Sequence, residues 1–375
     1  MTRRRTLGAG LLALVITGAL AGYLYDRDAG KQEVSVVPTE LQGLGNDLQE
    51  WQLQPAHTRL WRNIGVRLDR RIARGPEATL KLPVALRIDA SGSLYVLDWG
   101  DKAVKKFSPG GMLLQTYGGH VGEGPGEFTN PTDFDVDSTG GVWVCDPVNK
   151  NITVFGPSGN MLRTIRPGPP PLRITHVGGA GYLLMSSSAD DRLFGWYAPN
   201  DRQRIRFGEV VEHQERFGVA LDGKLTGDGV GHFVYAAYRA GVIAMGDVER
   251  RPATLFLPTL DHRGMPRILT RESRDMRVAH VDPDAGYGAR DVSLDGEDVH
   301  VLTGERPAPG TSAMDVYDFR SGRYRYSYRV DGTYIAAKVR HRMFYGIADS
   351  ALTILSFSGE GLPEGDDEQG PPSPK

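Results

Sequence analysis

The feature that most constrains this chain is an internal repeat of 48 residues near its front. Residues 88–98 (IDASGSLYVLD) align without a gap with residues 136–146 (VDSTGGVWVCD), and the match continues through Phe107 with Phe155. Each copy alternates short apolar strands with turns rich in Asp and Gly, a pattern typical of β-propeller blades. A single blade cannot bury both faces of its own sheet, so the sequence predicts a closed ring of blades.

Further strand-like segments extend the repeat almost to the C-terminus. From residue 77 to residue 357, units of this length give six blades, the first two at about 77–119 and 126–168. Blade three is predicted from the segments 182–186, 193–197 and 203–207, and blade four from 217–221, 232–238, 241–245 and 253–257. Blade five is predicted from 292–294, 299–302, 313–318 and 324–330, and blade six from 334–338, 343–347 and 352–357.

The sixth unit supplies only three strands, so the ring needs a strand from elsewhere. Residues 51–72 precede the first blade and are too apolar for a linker. Because closed propellers seal their exposed sheet edges, we expect part of this segment to complete blade six. The glycine-rich residues 117–128 predict an irregular crossover between blades one and two, with Phe128 packed between the sheets.

The N-terminus predicts an export or anchoring element over residues 1–25. Three arginines precede the uncharged stretch 7–25, and positive charge on the cytoplasmic side places the rest of the chain outside. A small-residue site at 19–21 would allow cleavage of a signal peptide, giving a secreted or periplasmic protein. The near-spanning length instead favours a retained signal anchor in the cytoplasmic membrane. Gly18 and Gly22 would let a partner helix approach closely in the bilayer.

Two further segments lie outside the predicted ring. Residues 26–50 are polar and predict a tether, which leaves 51–358 for the propeller. Residues 359–375 are acidic and rich in Gly and Pro, and we expect this tail to be disordered. The net charge of −2 provides no field that would recruit nucleic acid. The single cysteine, Cys145, excludes an intrachain disulfide and is interpreted as a small buried apolar residue.

A stripe of arginines marks the segment between blades four and five. Residues 258–287 lack strand alternation, and the spacing of the arginines predicts one face of a short helix that Pro266 would start. Such a stripe fits an acidic protein surface or lipid phosphates, and the alternative is a solvated helix neutralised by neighbouring acids. The four residues are Arg263, Arg267, Arg271 and Arg274.

A second candidate binding element is the segment 323–329 (RYRYSYR). Period-two alternation predicts Tyr324, Tyr326 and Tyr328 on one sheet face and the arginines on the other. Tyr and Arg are favoured at interface hot spots, which makes the tyrosines candidates for binding a protein partner. The alternative is an ordinary blade strand whose aromatic side chains pack against the next blade.

The two clear repeats resemble the NHL repeat. Residues 83–89 and 131–137 match its opening strand, followed by a Gly, a Tyr-Val or Trp-Val pair and an Asp. Residues 122–128 (GEGPGEF) are similar to the phrase between blades in bacterial extracytoplasmic six-bladed propellers. The resemblance implies a six-bladed propeller that is usually a binding or scaffolding module and only sometimes an enzyme.

The resemblance also identifies the enzymes that must be considered. The peptide-amidating lyase is similar in repeat type and carries zinc on histidines, one of them directly after a blade-opening Pro. The matching positions here are Val84 and Thr132, so those ligands are absent. In this chain the nine histidines are scattered without metal-ligand spacing, and we expect no metal and no cofactor.

Lactonase-type propellers hold calcium near the central channel, which raises one more possibility. Asp137, Thr139 and Asp146, with Asp135 before them, fall at offsets of a calcium loop. Asp89 recurs at the blade position of Asp137, and Asp98 at that of Asp146. Capping of turns therefore explains these acids better than calcium binding.

The sequence thus predicts an all-β, six-bladed, NHL-like propeller preceded by one transmembrane or signal helix. We expect a non-catalytic, membrane-tethered protein on the extracytoplasmic side that binds another macromolecule, such as an accessory subunit of a larger membrane complex. The alternative is a metal-dependent hydrolase or lyase with its site at the central channel.

Overall fold

The computed structural model describes residues 49–51, 59–72, 80–186, 192–210, 219–248, 253–261, 265–273, 276–348 and 351–357. The predicted anchor and most of the predicted tether, with Gly18 and Gly22, lie outside these ranges, as does the acidic tail. In the part of the chain that is described, no helix is long and apolar enough to span a membrane. The described residues form β-strands and one short 3-10 helix (Gly178–Ala180).

The described strands form six blades around a common axis. The chain starts with β1 (Gln49–Trp51) and β2 (Val66–Ile72). Blade 1 is β3 (Pro83–Ile88), β4 (Leu94–Asp98), β5 (Ala103–Phe107) and β6 (Leu113–Gly118); blade 2 is β7 (Asp133–Val136), β8 (Val142–Asp146), β9 (Asn151–Phe155) and β10 (Met161–Ile165); blade 3 is β11 (Pro171–His176), β12 (Tyr182–Ser186), β13 (Phe194–Tyr197) and β14 (Gln203–Phe207).

The second half of the ring follows the same plan with one insertion. Blade 4 is β15 (Gly223–Gly227), β16 (His232–Ala237), β17 (Val242–Asp247) and β18 (Ala253–Pro258); the insertion is β19 (Ile268–Ser273) and β20 (Met276–Val281). Blade 5 is β21 (Ala289–Asp295), β22 (Asp298–Thr303), β23 (Thr311–Asp318) and β24 (Tyr324–Asp331); blade 6 is β25 (Ala336–Arg340), β26 (Met343–Ala348), β27 (Ala351–Phe357) and β2.

An N-terminal strand closes the ring, as the sequence predicts. β2 pairs antiparallel with β27 and becomes the outer strand of blade 6. The residues before it also follow the rim: β1 pairs in parallel with β18 of blade 4, and Trp61 bridges in parallel to Ser327 of blade 5. We call residues 49–51 and 59–72 the N-terminal belt, because they cover the outer edges of three consecutive blades.

Buried apolar side chains hold neighbouring blades together. Each of the six interfaces contains such a cluster in the described residues. Phe128 is fully buried between blades 1 and 2 and contacts Phe155 with ring centroids 6.0 Å apart, as predicted. Cys145 is buried between blades 2 and 3, where burial raises the pKa of its thiol. Packing between blades therefore stabilises the ring.

The repeated acids cap turns, as the sequence predicts. Asp89 accepts hydrogen bonds from the backbone N–H groups of Ser91 and Ser93, both at 2.9 Å. Asp137 accepts the equivalent bonds from Thr139 and Gly141, also at 2.9 Å. Such side-chain-to-backbone bonds stabilise tight turns. The acids at the other blade position act alike: Asp98 accepts from Lys81 and Leu82, and Asp146 from Thr129 and Asn130.

The arginine-rich insertion is a β-hairpin and not the predicted helix. β19 and β20 pair antiparallel from Ile268 with Val281 to Ser273 with Met276. Ile268 and Val281 pack against the apolar cluster of blades 3 and 4. The β-branched residues and this tertiary contact outweigh the helical spacing of the arginines.

The inner strands of blades 3 and 4 also differ from the prediction. β11 begins blade 3, where the sequence suggested no strand, and β15 begins blade 4 two residues after the predicted segment 217–221. Both strands carry a charged residue in a buried position, Arg173 and Lys224, and this interrupts the apolar pattern.

Two faces of the ring are distinguished below. The upper face is the side on which every inner strand begins. It carries the loops between the second and third strands of each blade and the connections from one blade to the next. The lower face carries the remaining two sets of turns.

Candidate functional site

The central channel is lined by charged residues, because every inner strand places at least one buried charge toward it. Buried acids and bases alternate with apolar residues along these strands, and each is at most 8% exposed. They are Arg87 on β3, Asp133 and Asp135 on β7, Arg173 on β11, Lys224 on β15, Asp291 on β21 and Lys338 on β25.

Arg87 links blade 1 to blade 2. Its Nε lies 3.2 Å from Asp135 Oδ1, and its Nη2 lies 3.2 Å from both carboxylate oxygens of Asp133. Its Nη1 donates to the carbonyl oxygen of Leu86 at 3.0 Å. A buried guanidinium is stable only when its donors and its charge are both matched, and these contacts provide both.

Two hydrogen bonds cross the channel in opposite directions. Arg87 Nη2 donates to the carbonyl oxygen of Leu225 at 3.2 Å, and Lys224 Nζ donates to the carbonyl oxygen of Val84 at 2.9 Å. In a ring of six, blades 1 and 4 are opposite each other. The side chains of the protein itself therefore close the channel at this level.

The other two bases complete the network. Lys338 Nζ donates to Asp291 Oδ1 at 2.8 Å and to the carbonyl oxygen of Val292 at 2.6 Å. Arg173 is fully buried, donates from Nη2 to Asp222 Oδ1 at 2.7 Å, and donates from Nε to the carbonyl oxygen of Gly223 at 2.6 Å. The inner strands of blades 3 and 4, and of blades 5 and 6, are thus tied by ion pairs.

The network contains equal numbers of acidic and basic groups, but burial removes their hydration and shifts the pKa values of several of them. Four bases (Arg87, Arg173, Lys224, Lys338) face four acids (Asp133, Asp135, Asp222, Asp291). Burial lowers the pKa of Lys224 to about 8 and also lowers that of Lys338, because an ammonium group loses its hydration there. Burial raises the pKa of Asp222, although Arg173 opposes the effect.

His176 contacts this network. Its Nδ1 lies 3.1 Å from Asp135 Oδ2, and its backbone N–H donates to the same oxygen at 2.7 Å. Burial opposes the charge on Asp135, but the bonds from His176 and the charge of Arg87 prevail and lower the pKa of this acid. The His176 ring packs edge-on against Trp143, with centroids 4.8 Å apart.

The residues aligned with the lyase zinc positions have structural roles. Thr132 Oγ1 donates to the carbonyl oxygen of Leu172 at 2.8 Å, and Val84 is a buried apolar residue. In the described ranges, no three His, Cys, Asp or Glu side chains are arranged to hold a metal ion. The charged side chains of the channel form ion pairs and hydrogen bonds with one another and with backbone carbonyl groups, and these bonds make the inner strands rigid.

The tyrosines of β24 do not share one face. The strand has a bulge at Arg325, since Val316 pairs with Tyr326 while the next residue, Tyr317, pairs with Tyr324. Tyr324 therefore packs toward blade 4. Two other tyrosines, Tyr326 and Tyr328, are buried between blades 5 and 6, as the packing alternative predicts.

The bulged strand also holds the N-terminal belt. Tyr324 OH accepts a hydrogen bond from the Leu60 N–H at 2.9 Å. Arg59 joins the segment after blade 4 to blade 5, with Nη2 at 2.6 Å from Asp261 Oδ1 and Nε at 2.9 Å from Asp315 Oδ1, and both acids are buried. Leu60 and Trp61 remain 62% and 42% exposed. The rim of blade 5 thus presents large apolar side chains on a firmly held backbone.

The arginines predicted to form a stripe are not brought together as a helix face. Arg267 is exposed and precedes β19, and Arg271 lies within β19. Arg263 and Arg274 fall outside the described residues.

The charged channel was missed in the sequence, although a signal for it exists. Most inner strands carry Arg, Lys or Asp between apolar neighbours, as in VALRI and AAKVR. A charged residue that recurs from repeat to repeat, at a strand position that should be buried, indicates an internal network of ion pairs.

Comparison with known proteins supports the fold. No family model and no curated protein matches the chain. Among solved structures, a candidate exported protein from Bacteroides fragilis aligns with a TM-score of 0.53 at 11% identity, over 83% of this chain and 100% of its own. A member of the DUF4221 family from Bacteroides vulgatus gives 0.52 at 9% identity, over 79% and 98%. At such identities the likeness shows a shared fold.

Proposed function

We propose that this protein is a non-catalytic, extracytoplasmic propeller, tethered by its N-terminal segment, that binds another macromolecule. The observation that carries the proposal is the pair of hydrogen bonds across the channel, from Arg87 to Leu225 and from Lys224 to Val84. A hydrolase or lyase of the kind considered above would need this space for its substrate. A channel filled by matched charges favours a rigid scaffold that uses its outer surfaces.

The course of the belt supports a tethered arrangement. β18, the outer strand of blade 4, runs from the lower to the upper face, and β1 runs parallel to it. The chain before residue 49 therefore joins the propeller near the lower face, at the rim of blade 4. If residues 7–25 anchor the protein in the membrane, the tether approaches the ring from its lower face. The rim and the upper face then remain available to a partner.

The rim of blade 5 is the surface we assign to a protein partner. Trp61 is 42% exposed, and the guanidinium carbon of Arg329 lies 4.4 Å from its ring centroid. Trp and Arg are the residues most enriched at interface hot spots, and a fixed backbone lowers the entropy cost of binding. Leu60 adds apolar surface beside them. The extracytoplasmic location agrees with the candidate exported protein among the structural neighbours.

The test is co-purification of the tagged full chain from its native membranes in mild detergent, with partners quantified by mass spectrometry. We expect one stoichiometric partner that is lost with Trp61→Ala and retained with Leu162→Ala. Leu162 is the matched control, since it is an apolar residue 58% exposed on the rim of blade 2.

Two results would count against the proposal. One is a preparation in which no partner reaches stoichiometric amounts. The other is a partner that survives Trp61→Ala as well as it survives the control, which would place the interface elsewhere. A Gly18→Ile, Gly22→Ile variant tests separately whether the anchor contributes a helix contact.

A further inference from the structure

Three loops of the upper face meet around Tyr287. They are residues 238–241 of blade 4, the connection 282–288, and residues 304–310 of blade 5. A Cβ atom on Gly288 would overlap the Cα of Gly241, and one on Gly304 would overlap the carbonyl oxygen of Tyr287. The loops therefore pack backbone against backbone, and the Gly288 N–H donates to the carbonyl oxygen of Tyr238 at 2.7 Å. This contact fixes the side chains that the loops carry.

Three arginines surround this point. The guanidinium carbons of Arg239 and Arg290 lie 3.7 Å and 4.2 Å from the ring centroid of Tyr287. Arg306 is exposed on the neighbouring loop of blade 5. Arg239 is engaged further, since it donates to the carbonyl oxygen of Ala285. Stacking on an aromatic ring holds a guanidinium group in place without neutralising its charge.

Arg290 lacks a counter-charge within the described residues. Its Nε is shielded from solvent and has no hydrogen-bond partner there, and no ion pair involves its side chain. Burial lowers the pKa of Arg290, and the positive charges of Arg306 and Arg239 add to the effect. Asp222, whose charge acts on Tyr287, is already paired with Arg173 at 2.7 Å. The loops also carry Asp282, Asp284 and Glu305, and none of these acids forms an ion pair with Arg290 in the described residues. The Arg290 guanidinium thus keeps a partly buried charge without a matched partner, and an anion would relieve it.

We propose that the upper face of blades 4 and 5 carries an oxyanion site in which Arg290 and Arg306 bind a carboxylate or a phosphate group. Arg239 and Tyr287 are positioning residues that hold the Arg290 side chain. Arginine suits this role because its planar fork donates two parallel hydrogen bonds to either oxyanion. The site does not depend on the partner assigned to the rim, because a free anion is sufficient to occupy it.

The test is isothermal titration of the purified full chain with inorganic phosphate and, separately, with polyglutamate, at constant ionic strength set by sodium chloride. We expect Arg290→Gln and Arg306→Gln each to weaken binding about tenfold or more. Arg320→Gln is the matched control: Arg320 is an exposed arginine on the lower face of the same blade, paired with Glu297 at 2.7 Å. It should leave both affinities unchanged.

A thermal melt without added anion separates binding from folding. Arg290→Gln should melt no lower than the wild-type protein, because it removes an unpaired charge, whereas a purely structural arginine would lower the melting temperature. If Arg290→Gln does not fold, the exposed Arg306 alone carries the comparison.

The two probes also identify the source of the oxyanion. Phosphate binding without polyglutamate binding assigns the site to free phosphate, and polyglutamate binding that phosphate displaces assigns it to acidic polymers. The proposal is overturned if neither probe binds, or if both variants bind as tightly as the wild-type protein.

Discussion

Substituting Arg87 with Met tests whether the channel is closed and dry. The change keeps much of the side-chain volume but removes the bonds to Asp133, Asp135 and the carbonyl oxygen of Leu225. Removing one partner of a buried ion pair costs about 3–5 kcal/mol, because the remaining charge stays buried without compensation. With an unfolding entropy near 2.1 cal/mol/K per residue, a propeller of roughly 300 residues should then melt about 5–8 °C lower.

The assay is thermal and urea unfolding of the full chain, with Arg329→Met as the control. Arg329 is exposed and stacks on Trp61, so its loss should cost about 0.5–1 kcal/mol. The effect of Arg87→Met should also persist at high salt, since buried charges are poorly screened. If Arg87→Met costs no more than the control, water reaches the network, and the basis for a non-catalytic scaffold fails.

Two more predictions concern titration and the belt. Lys224 has a pKa of about 8 in the fold against an ordinary value of 10.5, so the unfolded chain binds more protons between these values. The unfolding free energy of the wild-type protein relative to Lys224→Met should therefore rise by about 3 kcal/mol from pH 8 to pH 10.5, measured by urea unfolding, and a flat difference would contradict the burial. Arg59→Met should loosen the belt on blade 5, since the Ser327 amide donates to the carbonyl oxygen of Leu60 at 2.9 Å. Hydrogen exchange at Ser327 should accelerate while residues 83–118 stay protected, and uniform acceleration would show that the belt opens only with the whole ring.

The parts of the fold that the sequence revealed are those governed by local chemistry. The aspartates that cap turns, the buried Phe128 and the number of blades follow from a repeat that can be read directly. The missing outer strand was inferred by counting, because a ring cannot leave one blade a strand short.

The parts that the sequence did not reveal depend on tertiary contacts. The helix predicted from the spacing of Arg263 to Arg274 is wrong, because Ile268 and Val281 pack against the apolar cluster when this segment forms a hairpin. The bulge at Arg325 reverses the face of Tyr324, and alternation alone cannot locate it. The channel network was missed because its members are far apart in sequence, as with Arg87 and Leu225, which are 138 positions apart.

Closure by β2 has a consequence for the order of folding. Ser356 donates a hydrogen bond to the carbonyl oxygen of Arg67, and the two positions are 289 residues apart. β2, the second strand to be synthesised, therefore cannot pair until β27, the last described strand, has been made. Bringing such distant ends together costs on the order of 5 kcal/mol in chain entropy, from (3/2)RT ln n. Until residues 351–357 have been made, the ring stays open and both edges remain vulnerable to aggregation. Truncation just before β27 should therefore leave β2 without its neighbour and make the protein susceptible to proteolysis.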